Sequence, residues 1–158
     1  MLWLAGCADK STFPVRTYPM GEKVTLGHLV YTVLETQWLT HLGDVETGRV
    51  PQGRFLLVRV VVTDSGGDPV VAPNLSVEDD SGHGYPELMN GEGVPEWAGY
   101  LRQIKPAESS SGNLVFDVSP KHYKLRILDE DGQRAALIDL PLNFPSETPE
   151  LPVGEGQK

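Results

Sequence analysis

Cysteine occurs once in the 158 residues, so no internal disulfide can form and the folded core has to hold together by packing. Long apolar runs are missing as well. Nowhere do about 18 apolar residues follow one another, which excludes a transmembrane helix. Basic residues are few and dispersed. Against 22 Asp and Glu stand 13 Lys and Arg, giving a formal charge of −9 and a pI near 4.8. A polyanion is repelled by such a chain, and nucleic acid is excluded as a partner.

The spacings that carry catalysis are absent too. There is no G-x-S-x-G elbow, no glycine-rich phosphate loop and no dinucleotide fingerprint. His28, His41, His83 and His122 are scattered without the close pairing that zinc requires, and no cysteine in the folded region completes a set. Two acidic clusters, Asp79-Asp80 and Asp129-Glu130-Asp131-Gly132, invite a calcium reading. Neither supplies the roughly six oxygens a calcium loop needs, and turns favour Asp and Gly for backbone reasons alone. The expectation is therefore a chain that is not an enzyme and holds no cofactor and no metal.

What the chain does have is chain breakers, 17 Gly and 13 Pro, separating short runs of period-two alternation. Residues 22–26 and 28–38 read as two strands or one bent strand. Residues 54–63 form the most apolar run, with Val58, Val60 and Val62 on one face and Arg59 marking a partly wet opposite face. Further runs follow at 70–78, at 84–86 as a short edge-like segment with Pro73 also arguing for an edge, at 113–118 with Leu114, Phe116 and Val118 sharing a face, at 123–127, and at 135–142. The D-G of residues 131–132 marks a hairpin between the last two. These runs predict an all-β immunoglobulin-like sandwich of about seven to nine antiparallel strands. The domain is placed at residues 18–144. Residues 145–158, rich in Pro and Glu, are expected to be a disordered tail.

The lone cysteine has its own reading. Leu4, Ala5, Gly6 and Cys7 form L-A-G-C, which resembles the lipobox at which bacterial lipoprotein precursors are lipidated and cut before the cysteine. A secretory signal needs an apolar run of about 7–15 residues behind a basic stretch, and six residues precede Cys7. Residues 1–17 are accordingly read as the remnant of a signal, its lipobox and a polar spacer, the start lying inside the true signal. Cys7 would be the lipidation site, tethering the domain to the cell membrane or outer membrane on its extracytoplasmic side. Multiple acyl chains, as lipoproteins carry, give stable attachment where one chain does not.

Three phrases coincide with a known family: residues 55–69 (FLLVRVVVTDSGGDP), 75–85 (LSVEDDSGHGY) and 105–120 (KPAESSSGNLVFDVSP). They resemble the telokin-like, immunoglobulin-fold domain of unknown function found in many bacterial lipoproteins and secreted proteins, over roughly residues 18–143. Two positions depart from its pattern. Asp64 stands where members often carry Asn, and Ala107 follows Pro106 where Gly is common. The resemblance implies an extracytoplasmic module, frequently lipid-anchored, without an established catalytic activity and with no active-site residues to carry over.

Trp97 and Tyr100 remain as candidate ligand-binding residues, since aromatics in the long loop of a sandwich offer broad contact area at low entropic cost. Trp97 either forms a binding tip or folds back to cap the core. The leading functional expectation is a lipid-anchored envelope module with a non-catalytic binding or structural role and a protein or glycan partner. The alternative is a binder of a small ligand, a glycan or a metal ion in the envelope.

Overall fold

A computed structural model describes residues 14–142. Cys7, the tail at 145–158 and residues 143–144 of the expected domain lie outside them. The described residues form eleven strands and no helix: β1 (Thr17–Tyr18), β2 (Val24–Leu26), β3 (Leu29–Leu39), β4 (Arg54–Asp64), β5 (Val70–Ala72), β6 (Ser76–Asp79), β7 (Gly84–Pro86), β8 (Arg102–Ile104), β9 (Ser109–Val118), β10 (Tyr123–Leu128) and β11 (Ala135–Leu140). A four-stranded sheet in the order β2-β3-β4-β9 faces a five-stranded sheet in the order β1-β11-β10-β6-β7, and β5 pairs with β8 separately. This is an immunoglobulin-like β-sandwich.

Alternation builds the core. Leu56, Val58, Val60 and Val62 of β4 and Leu114, Phe116 and Val118 of β9 point inward, where Val77, Leu125, Ile127, Ile138 and Leu140 of the other sheet meet them. Two details correct the expected strand plan. The run at 70–78 is split at Pro73 into β5 and β6, which belong to different sheets, because a proline cannot donate to a central ladder. β1 pairs with β11 in parallel rather than antiparallel. The count exceeds nine because two- and three-residue strands carry too short an alternation to be seen in sequence.

Residues 22–38 are two strands, turned at Gly27 with φ 57°. A bulge between Val33 and Glu35 then shifts the β3–β4 register, so Thr36 pairs Val58 and Trp38 pairs Leu56. Without the extra residue, strict alternation from Leu29, Tyr31 and Val33 would turn Trp38 outward. With it, Trp38 is buried against Tyr123. Tyr123 opens β10, and its hydroxyl donates to the Ser119 carbonyl at 2.7 Å. This is the tyrosine corner of immunoglobulin-type sandwiches. Burial raises the phenol pKa of Tyr123, and that of Tyr31 much further.

Candidate functional site

The longest irregular segment, residues 87–100, lies flat across the outer face of the four-stranded sheet. Phe55 and Leu57 of β4 and Val115 of β9 point outward there, and the segment covers them with Val94, Leu88 and Trp97, joined by Leu42 from the preceding loop. The result is a second, smaller apolar core on the face that Arg59 had marked as partly wet. The segment is pinned at its margins. Arg59 pairs with Glu96, Asn113 receives Ala98 N–H at its carbonyl and gives its own N–H to the Glu96 carbonyl, and Leu88 N–H reaches the Val115 carbonyl. Arg49 donates to the carbonyls of Asn90 and Glu92 at 2.8 and 2.9 Å, while its guanidinium lies over Phe55. These bonds also occupy the middle of the β9 edge, which would otherwise invite another chain.

Trp97 is half-buried in this arrangement, with Gly91 lying against its ring, where an added Cβ would stand 1.9 Å from the indole. Its Nε1 is buried with no hydrogen-bond partner. Tyr100 is half-buried three residues further on, at the turn into β8. Met89, Val45 and Val50 are well exposed on the two loops that Arg49 stitches together.

Beneath the end of the segment lies a buried ion pair. Arg102 grips both carboxylate oxygens of Glu87 at 2.7 Å, and donates to the Gly99 carbonyl at 2.7 Å and the Pro73 carbonyl at 3.1 Å. Glu87 in turn accepts Leu75 N–H at 2.7 Å. Side-chain exposures of 3% and 1% leave no room for a ligand, and the network is closed: it fastens the β5–β8 pair and the start of the long segment to the sandwich.

The two acidic clusters build turns. Asp79 Oδ1 accepts Ser81 N–H, Ser81 hydroxyl and His83 N–H. Asp129 Oδ1 accepts Gln133 and Arg134 N–H, and Glu130 accepts His28 N–H, docking the β10–β11 turn on the β2–β3 turn. The latter flanks an open polar hollow of about 370 Å³ lined by His28, Asp129, Glu130, Asp131 and Arg134. Among the described residues no three His, Cys, Asp or Glu side chains are grouped to hold a metal.

One cluster was invisible in the sequence. At the corner of Tyr123, His122 places Nδ1 2.6 Å from Asp80 and Nε2 2.6 Å from Asp139. Lys121 pairs with Asp79 at 3.1 Å, with its ammonium 5.9 Å from both the Tyr85 and Tyr123 rings. Tyr85 stands edge-on to Tyr123. The partners of His122 are 42 and 17 residues distant, so no spacing rule finds them; only the sheet order brings them together.

Among solved structures, the fold is similar to the yjhA protein from Bacillus subtilis, with a TM-score of 0.62 and 15% identity over 78% of this chain and 99% of that one. It is similar to MPT63, a secreted protein from Mycobacterium tuberculosis, with a TM-score of 0.62 and 17% identity over 81% of this chain and 99% of that one. A candidate lipoprotein from Bacillus subtilis, ycdA, gives a TM-score of 0.54 and 17% identity over 74% of this chain and 38% of that one. At these identities the likeness is one of fold. No curated protein matches the sequence. A family model spans residues 18–132, the stretch from the first strand to the β10–β11 turn, and the chain belongs to that family, the domain of unknown function DUF4352.

Proposed function

We propose that the chain is a lipid-anchored, extracytoplasmic module of the telokin-like immunoglobulin type, with a non-catalytic binding or structural role in the bacterial cell envelope. The observation that carries this reading is the L-A-G-C motif placed nine residues before β1. Nine residues span at most about 30 Å, enough to hold a domain clear of lipid headgroups. A secreted and a candidate lipoprotein neighbour support the same address.

The binding face of this reading is the clamped segment at 87–100 with its neighbouring loop. Loops on a rigid sandwich are where such domains carry recognition, and here the backbone is held by Arg49, Arg59 and Asn113 while Met89, Val45 and Val50 face solvent. The partner proposed is an envelope protein or glycan, met by contact area rather than by chemistry.

The anchor is tested by feeding cells an alkynyl fatty acid and following the label on the protein expressed from its native upstream sequence. Label and membrane association are expected for the natural chain and neither for Cys7→Ala. A Cys7→Ala protein that keeps the label would refute the anchor.

A further inference from the structure

We propose that the β6–β7 hairpin is a pH-released lid, latched over the aromatic corner of the sandwich by a histidine that bridges two carboxylates. Both ring nitrogens of His122 face a carboxylate oxygen at 2.6 Å, Asp80 on one side and Asp139 on the other. A neutral imidazole donates from one nitrogen and presents a lone pair from the other. Both contacts are attractive only when the ring is an imidazolium. Loss of its proton sets a lone pair against a carboxylate on one side.

The two carboxylates differ in what holds them. Asp139 lies in β11, which is paired on both sides by β1 and β10, and cannot retreat. Asp80 is exposed on the turn of a hairpin at the sheet edge, so it is the side that lets go. The other charged groups at this place are Lys121 and Asp79 on the neighbouring latch, and Lys124 of β10, in register with both Asp139 and Glu78. Glu78 is itself paired with Arg126. The Asp80 and Asp139 bonds, in that order, hold the His122 pKa above the ordinary histidine value.

The far end of the lid does not move. Glu87 follows β7 directly and is locked to Arg102, and Leu88 N–H is bound to the Val115 carbonyl. Only the tip, Asp79 through Tyr85, can lift. The Lys121–Asp79 pair, whose bond raises the lysine pKa, keeps its charges where histidine loses its own. Release is therefore a loosening, in which Tyr85 leaves the edge of Tyr123 and uncovers the Tyr123–Trp38 surface.

The test is histidine-ring NMR titration of the full 158-residue chain with amide exchange at Tyr85, whose strand partner Val77 stays in the sheet, the rate divided by its intrinsic base-catalysed rate. His122 is expected to titrate above the ordinary histidine value. Opening at Tyr85 should rise about two- to fivefold through that titration, the worth of a half-exposed ion pair, with no matching change at Leu88. His122→Arg, charged at every pH, should stay closed throughout, and His122→Gln should be loose throughout. A His122 that titrates at or below the ordinary value, or an equal pH dependence in the Arg variant, would overturn the lid.

Discussion

Ala107 adopts φ 65° while its N–H donates to the Asp64 carbonyl at 2.9 Å. A side chain in that left-handed region costs about 1–2 kcal/mol, against which glycine's greater freedom in the unfolded chain offsets about 0.4–1 kcal/mol. Ala107→Gly is therefore expected to stabilise by about 0.5–1 kcal/mol, raising Tm by about 1–3 °C in a thermal melt. Asp64 is fully buried: Oδ1 accepts Gly66 N–H at 2.8 Å, while Oδ2 has no partner. An amide in its place keeps the Gly66 bond and removes a formal charge from the interior. Asp64→Asn should gain about 1 kcal/mol in urea denaturation, and a loss of stability would show that a donor reaches Oδ2. These are the two positions that depart from the family pattern, and the fold brings them into direct contact, though 43 residues of sequence separate them.

Elements differ in how much of them the sequence reveals. β4 was legible because a buried face alternates with a different one over eleven residues, whereas β9 was legible only over 113–118, its polar first half, Ser109 to Gly112, reading as a turn. What β4 hides on its outer face was not legible. Phe55 and Leu57 read as the other half of a strand, and nothing local says that residues 87–97 will cover them. Glu87 and Arg102 sit in turn-rich stretches where a single charge looks solvated, and only the folded chain shows both side chains sealed together. Truncating one partner leaves the other charge buried and alone. Glu87→Gln or Arg102→Met is expected to cost about 3–5 kcal/mol, and the joint apolar replacement Glu87→Leu with Arg102→Met to recover much of it, read by chemical denaturation. The covering segment has its own probe. Gly91→Ala drives a methyl into the Trp97 ring, an overpacking worth about 1–3 kcal/mol, and should shift tryptophan emission to the red as the indole lifts. An unshifted spectrum at unchanged stability would mean that the segment does not lie on the sheet.

At the scale of the whole molecule, two titrations act from opposite sides. The Asp79 carboxyl is held well below its usual range, chiefly by the Ser81 hydroxyl and with help from His83 N–H and Lys121. A depressed carboxylate contributes stability that is complete above its unfolded value of 3.8 and lost as pH falls toward the folded one. His122 is raised, so its contribution is complete below its unfolded value of 6.5 and lost as pH rises through the folded one. Both are whole only between these two unfolded values. The net charge of −9 acts in the same direction, because self-repulsion grows as the last groups deprotonate. Scanning calorimetry from acid to alkali should therefore place the highest Tm in mild acid, falling on either side. Salt separates the causes on the alkaline side. Raising it from about 0.01 to about 0.15 M shortens the screening length from about 30 to about 8 Å, which relieves diffuse repulsion far more than it weakens contacts of 2.6 Å. If the alkaline decline survives that change and disappears in His122→Arg, the histidine clasp sets the limit. If salt alone removes the decline, bulk charge does, and the corner is a bystander to global stability.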